Sequence, residues 1–577
     1  MSTGTSEESA NAAQLERATL DKAERMELLH RVGIALTAEK NRDRLVEMIL
    51  LEAKQLCNAD GGTLYMRTET DTLRFAIMRT DSLAIALGGT TGRKIELPEM
   101  PLYDAETGEP NLKNVATAAA ILKQSINIPD AYDAEGFDFS GTKSFDERNN
   151  YRSRSFLTIP LFNTEGRVIA VLQLLNARDT AGSVIAFSQE VERVVEALAS
   201  QAGIALDNQM LLEGQRKLLE AFIKLIAAAI DAKSPYTGGH CERVPVLTEM
   251  IAQSLCETRG GPFAEFDLND DEWYELRIAA WLHDCGKVTT PVHVMDKATK
   301  LETIVDRISI VRARFESLRR GAEIAMLKAK LDGREPGDVI EERYQSELKR
   351  LDDDLKFLEH ANVGGEFLPP EHQARIREIG LRRYSENGQE RQLLSEDEIE
   401  NLSISRGTLT ESERLVINGH MVQTVRMLEA LPFPRNLARV PEYAAGHHEK
   451  MDGGGYPRGL FAGDMSIPAR IMAIADVFEA LTADDRPYKK AKRLSEAMGI
   501  MGAMKRFNHL DPQLFDHFVQ SRVYLEYARK FLAENLIDEV DEAKLLAIKP
   551  EAFDLPDAEL RKLRWRDFLP AYRSQAR

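Results

Sequence analysis

From Ser188 to Lys233 the chain contains no proline, and Val191, Val195, Leu198, Ala202, Ala205, Leu212 and Leu219 keep close to a heptad rhythm. This pattern predicts one continuous helix. A helix of that length has little core to bury against unless it pairs with its own copy, so it divides the chain into two folded parts and favours a parallel homodimer. The 577 residues fit this division, because a chain of that size exceeds a single hydrophobic core.

On the N-terminal side, residues 1–23 open with a stretch rich in Ser, Thr and Glu and read as flexible. Apolar residues then recur at helical spacing between Leu15 and Leu56, with Leu28, Leu29, Val32, Leu36, Leu45, Met48 and Leu51 among them. Strand-like runs follow at Gly62–Arg67, Thr72–Met78, Ser155–Phe162 and Val168–Asn176, the last two separated by the turn signal Asn163-Thr-Glu-Gly166. The mixture predicts an α+β domain over 24–187, followed by the connecting helix 188–233.

On the C-terminal side, 234–540 reads as an all-α domain interrupted by an insertion at about 302–408, with 541–577 as a tail. The insertion is dense in Arg, Lys and Glu and carries a Gly333-Arg-Glu-Pro-Gly337 break. Alternating charge along a helix marks a solvated face, so an exposed antiparallel helical hairpin is expected.

A formal net charge of -18 argues against a protein that coats a nucleic-acid polymer or anionic lipid, both of which need a broad cationic surface. The most apolar helical segment, Ala221–Ala232, is short and interrupted by Lys224, and the N-terminus has Glu7 and Glu8 where a signal peptide needs an apolar core. Cys57, Cys241, Cys256 and Cys285 form no CxxC pair and read as reduced thiols. A cytoplasmic protein without a membrane span is the expectation.

The chemistry is concentrated in His240, His283-Asp284-Cys285-Gly286-Lys287, His420, His447-His448-Glu449 and Asp476, which hold five of the eleven histidines. Any one of these histidines, taken alone, reads as a satisfied structural residue. Together, imidazoles and carboxylates suit first-row transition ions, and one carboxylate can bridge two of them. Two ions about 3.5–4 Å apart can activate a water and stabilise both oxygens of an in-line displacement at phosphorus. Lys287 lies one helical turn after His283 and Asp284, where it can neutralise charge on a phosphate oxygen; a plain ion pair with Asp284 is the alternative.

The run His447-His-Glu-Lys-Met-Asp-Gly-Gly-Gly-Tyr-Pro457 resembles the HHE, DG and GYP signature of HD-GYP domains. Thr237-Gly-Gly-His-Cys-Glu-Arg-Val244, the His-Asp-x-Gly-Lys at 283–287 and Arg470-Ile-Met-Ala-Ile-Ala-Asp-Val-Phe-Glu-Ala-Leu-Thr482 with Arg486-Pro-Tyr488 match the same family in order. The resemblance implies metal ligation by His240, His283, Asp284, His420, His447, His448 and Asp476, with Asp284 bridging and Lys287 as the catalytic lysine. It implies two divalent ions, iron or manganese, and hydrolysis of cyclic di-GMP to pGpG or GMP. Hydrolysis of cyclic GMP-AMP, or dinucleotide binding without catalysis, are the alternatives. Gly454 and Gly455 would bring backbone amides to a phosphate, Tyr456 would stack on a base, and Arg486, Lys489 and Lys490 would supply local positive charge. Members of the family with a third metal tend to carry Glu four residues before the first histidine; Tyr236 stands there, which favours a dinuclear site.

Asn127-Ile-Pro-Asp-Ala-Tyr132, Phe137 and Tyr151-Arg-Ser-Arg-Ser-Phe-Leu-Thr-Ile-Pro-Leu161 resemble a GAF domain, in wording close to those that bind cyclic nucleotides. The resemblance implies cyclic AMP or cyclic GMP as ligand, with Asp146, Asn149 and Ser153 facing it, and control of the helical domain through the connecting helix. The chain departs from that pattern at Asn149-Asn150, where the family has Thr-Gly.

Overall fold

The strand-like runs form one antiparallel sheet with the spatial order Ile85–Gly88, Thr72–Thr80, Ala59–Arg67, Val168–Arg178, Phe156–Phe162, Ile126–Ile128. The structure is a computed structural model that describes residues 27–557 apart from 28, 234–238, 366, 387 and 484–490. It divides into two units, Met1–Leu218 and Leu219–Arg577.

In the first unit, period-two alternation sends Leu64, Ile159 and Leu172 to one face of the sheet. There they pack with Leu45, Ile49 and Ala53 of helix Arg42–Leu56 and with Val195, Leu198 and Ala202 of the connecting helix. The opposite face, with Tyr65 and Val171, takes the alanine-rich helix Val115–Leu122, whose small side chains allow close approach. The expected helix from Leu15 to Leu56 is broken within the described residues: residues 39–41 are non-helical, and Asn41 caps the next helix by accepting from Arg44 N at 3.0 Å.

The connecting helix is continuous over Gln189–Lys233. It does not stand apart from the domains as expected: its first half belongs to the sheet's core, and Ile223, Ala227 and Ile230 near its end lie in the core of the helical unit. That second core is built around helix Ile467–Thr482, with helices His240–Cys256, Leu494–Arg506 and Pro512–Gln520 against it and helix Asp270–Leu282 packed on His240–Cys256. Phe478 is fully buried with its ring centroid 5.3 Å from Phe518 and 5.8 Å from Tyr527, which fixes the rotation of the helix carrying Asp476. The boundary expected at residue 540 falls short, because Leu545 of helix Glu542–Ala547 is buried in the same core.

The insertion also departs from expectation. Helices Ile308–Asp332 and Gly337–Val363 do form a hairpin, but helix Pro370–Gly380, a two-stranded ribbon and helix Glu396–Leu402 follow it. Phe315, Leu351, Leu358, Ile376, Leu393 and Leu402 make a separate core. Charge density hid the apolar stripe on the inner side of each helix.

Candidate metal centre

Five helices and one tight turn bring the site residues together. His240 opens helix His240–Cys256 directly after Gly239, whose φ of 82° allows the sharp approach. His283 caps helix Asp270–Leu282, and Asp284 leads into the 3-10 turn Cys285–Thr289 that carries Lys287. Gly286 is required there, because a Cβ would lie 2.0 Å from His420 O and 2.5 Å from Thr424 N; its own N–H donates to Thr424 Oγ1 at 2.9 Å. His420 sits in helix Glu411–Glu429, His447 just beyond helix Val440–Ala445, and Asp476 in helix Ile467–Thr482.

The backbone sets the tautomers. Nδ1 of His283, His420 and His447 donates to the carbonyl three residues earlier, Ala280 at 2.7 Å, Ile417 at 2.6 Å and Ala444 at 2.6 Å. His240 Nδ1 donates instead to the Glu479 carboxylate. Each Nε2 is thereby left as an acceptor, and each is buried without a hydrogen-bond partner, as is Asp284 Oδ1.

These acceptors face carboxylate oxygens. Asp284 Oδ2 lies 3.4 Å from His240 Nε2 and 3.1 Å from His283 Nε2, while Asp284 Oδ1 lies 3.2 Å from His420 Nε2 and 3.9 Å from His447 Nε2. Asp476 Oδ1 joins the first group, 3.2 Å from His240 Nε2. Lone pairs set against lone pairs in a buried space are unfavourable unless cations stand between them. The side chains fall into two groups suited to a metal ion, His240, His283, Asp284 and Asp476 in one and Asp284, His420, His447 and His448 in the other, with Asp284 common to both. All seven expected ligands are therefore brought together, and the donor set fits two divalent ions.

Protonation follows the same division. Burial opposes ionisation of Asp284 and Asp476, yet Lys287 and His283 beside the first, and His240 and His283 beside the second, hold both carboxyls well below the usual range. Burial also works against a charged His283, but Asp284 and Asp476 push it up to about 9: the acceptor form of Nε2 belongs to the neutral ring that a metal would hold, and without a cation a proton on Nε2 stands between ring and carboxylate. His447, buried next to His283, is pushed down to about 4. Lys287 Nζ donates to Asp284 Oδ2 at 2.5 Å, with about a quarter of its side chain exposed (24%), so it is both ion pair and reachable cation.

The glycine-rich loop packs closely on the segment that carries His447 and His448. A Cβ on Gly455 would lie 2.4 Å from Glu449 Cα and from Lys450 N, so this glycine admits the loop against the HHE segment. Tyr456 stacks on His448, with ring centroids 4.9 Å apart and 22° between the planes. Glu449 Oε1 accepts from Arg458 N at 2.7 Å and Oε2 from Leu460 N at 2.9 Å, and burial pushes its carboxyl up to about 7. Gly454 is exposed, and its N–H donates to Asp452 Oδ1 at 2.8 Å. Arg486, Lys489, Lys490 and Tyr236 lie outside the described residues.

Sequence reasoning missed Glu479. It lies three residues after Asp476 on the same helix face, accepts from His240 Nδ1, and is paired with Arg243 Nη2 at 2.7 Å. Its i+3 spacing from a ligand was the available signal. Such a carboxylate behind a ligating histidine orients the ring and raises its basicity.

The structure also places the three residues expected to face a ligand in the GAF domain. Asp146 and Ser153 are buried and bound to each other: Asp146 Oδ1 accepts from Ser153 Oγ at 2.7 Å, and Oδ2 from Ser153 N at 2.7 Å and Tyr132 Oη at 2.9 Å. Asn149 is exposed and its amide donates to Phe145 O at 2.8 Å. Tyr151 of the same signature is likewise tied down, its Oη accepting from Asn176 Nδ2 at 2.9 Å. Asp146 and Ser153 thus spend their polar groups on each other and on Tyr132, while Asn149 lies at the surface.

A helical domain whose buried histidines and aspartates converge around one shared carboxylate, in groups that could hold metal ions, defines an HD domain, here preceded by a GAF domain. Family models agree: one described as an HD domain matches residues 396–514, and one described as a GAF domain matches 41–206. The HD match begins inside the insertion and therefore misses His240, His283 and Asp284, which the fold returns to the site. Among curated relatives, the 3'3'-cGAMP-specific phosphodiesterase 1 of Vibrio cholerae is 44% identical over 115 residues, 20% of this chain and 26% of the relative. The 3'3'-cGAMP-specific phosphodiesterase 3 of the same organism is 24% identical over 324 residues, 56% of this chain and 42% of the relative. A cyclic di-GMP phosphodiesterase of Thermotoga maritima is 41% identical over 91 residues, 16% of this chain and 24% of the relative. The chain thus spans less than half the length of these relatives. The GAF domain of an Acinetobacter phosphoenolpyruvate-protein phosphotransferase matches 32% of this chain and 94% of its own, at 14% identity and a TM-score of 0.23.

Proposed function

We propose that the chain is a phosphodiesterase that hydrolyses a cyclic dinucleotide at a dinuclear centre bridged by Asp284. The observation that carries this reading is the split of the Asp284 oxygens between two sets of buried, unpartnered histidine nitrogens. Two divalent ions, iron or manganese, would polarise a water and take up charge on the phosphate oxygens. His240, His283 and Asp476 hold one position and His420, His447 and His448 the other. Lys287, already ion-paired with Asp284 and reachable from solvent, meets a nonbridging phosphate oxygen as charge builds on it. The water oxygen attacks phosphorus, the bond to the ribose 3'-oxygen breaks, and that oxygen leaves with a proton. The ring opens to a linear dinucleotide, and a second cut releases mononucleotides.

Cyclic di-GMP is the favoured substrate, with pGpG or GMP as product. Cyclic GMP-AMP is the second reading, supported by the 44% identity over 115 residues to a 3'3'-cGAMP-specific enzyme. Arg486, Lys489 and Lys490 are the candidate phosphate contacts beyond the metal ligands. Incubating metal-loaded protein with each dinucleotide and separating the products by chromatography decides between them; failure to cleave either would refute the reading.

The same reading makes the protein a cytoplasmic homodimer under GAF control. Leu211, Leu218 and Leu225 are 56%, 57% and 63% exposed at seven-residue spacing on the connecting helix, which supports pairing with a second copy. No helix among the described residues is long and apolar enough to cross a membrane. Cyclic AMP and cyclic GMP remain the first compounds to try as regulators, through contacts other than Asp146 and Ser153.

A further inference from the structure

The connecting helix ends on the backbone of the segments that supply the site. Lys233, its last residue, directs Nζ at three carbonyl oxygens in and beside the turn that carries Lys287: Lys287 O at 3.2 Å, Thr290 O at 2.7 Å, and Val288 O. Two residues earlier, Asp231 Oδ2 accepts from Gly239 N and Cys241 N, each at 3.2 Å, at the start of the helix that His240 opens. The charges match the ends they meet. A cation satisfies the outward carbonyls of a helical turn, and an anion satisfies the free N–H groups of a helix N-terminus. Both contacts are charge-assisted, and so stronger than neutral hydrogen bonds.

The two residues project from nearly opposite sides of the helix, because a step of two residues turns it by about 200°. One helix end therefore grips two separate segments. One segment supplies Asp284 and Lys287, the other supplies His240 and the first turn of its helix. Asp231 is buried, so losing its contacts would leave backbone N–H groups poorly solvated.

We propose that Asp231 and Lys233 are positioning residues that set where His240 and Lys287 stand, and that they are the point at which the connecting helix acts on the metal centre. The inference rests on the phosphodiesterase reading for its kinetic arm only. Displacement of reacting groups by about 1 Å can cost on the order of a hundredfold in rate, so contacts of this kind control turnover without touching substrate.

The test compares Lys233→Met, Lys233→Arg and Asp231→Asn with the unmodified full chain. Hydrogen exchange is followed over 239–243 and 285–290, together with metal content and kinetics on cyclic di-GMP and cyclic GMP-AMP. Lys233→Met should speed exchange in 285–290 and lower kcat about tenfold or more with KM nearly unchanged, and Lys233→Arg should restore most of both. Asp231→Asn should speed exchange at 239–243 and weaken metal retention. Unchanged exchange and kcat in Lys233→Met would overturn the proposal, as would an Asp231→Asn protein with normal exchange and full metal. An unmodified chain that cleaves neither dinucleotide would sink the phosphodiesterase reading instead, and the exchange measurements would still decide the positioning role.

Discussion

In the helical domain four imidazole Nε2 atoms and one Asp284 oxygen are buried without partners and face one another. In the GAF domain the buried Asp146 carboxylate is bound on both oxygens by Ser153 and Tyr132. Both sets of residues stand in family signatures, but only the first has bonding capacity left over. A buried polar group that its neighbours have satisfied is part of the scaffold; one left unsatisfied, in company, is a binding site.

That contrast breaks first at Asp284. Asp284→Ala removes the one group shared by both metal positions, so hydrolysis should fall below detection and both ions should be lost, while the GAF domain melts as before. Normal turnover with normal metal content would end the dinuclear assignment.

The next effect is smaller and tests the missed residue. Glu479→Ala should weaken metal binding about 10- to 100-fold by freeing the His240 ring, and Glu479→Gln, which still accepts a hydrogen bond, should recover part of it. A competitive chelator titration reads this without any assay of activity. Equal affinities in all three proteins would show that Glu479 serves only the fold.

Asp146→Ala should do the opposite of Asp284→Ala. It leaves Ser153 N, Ser153 Oγ and Tyr132 Oη unpaired, at a cost of about 3 kcal/mol to the GAF domain, with kcat and metal content unchanged at low temperature. Calorimetry that showed an unchanged GAF transition together with lost cyclic nucleotide binding would restore Asp146 as a ligand contact. Gly455→Ala should have the least effect on chemistry: it pushes the loop off Glu449 and Lys450, raising KM more than it lowers kcat. An unchanged KM would mean that the loop does not meet substrate.

The ligand set was legible because motif spacing preserves residue type and order: His283-Asp284 with Gly286 and Lys287, and the HHE run before the glycines. The role of each polar group was not legible, because it depends on partners that only the fold brings into contact. Glu479 meets His240 across more than two hundred residues of sequence. Asp146 and Ser153 satisfy each other only once helix Ser140–Asn149 folds back. Gly455 was read as making room for a phosphate, whereas the space it leaves is filled by the backbone of Glu449 and Lys450. The insertion's charge density announced its solvated face and concealed the buried Phe315, Leu358 and Leu402 beneath it.

Anaerobic metal analysis of the full chain, set beside Asp284→Asn, tests the shared carboxylate most directly. The two ligand groups predict two ions per chain in the unmodified protein, and the loss of both when Asp284 can no longer bridge with two anionic oxygens. Three firmly held ions in the unmodified protein, or two retained by Asp284→Asn, would contradict the account.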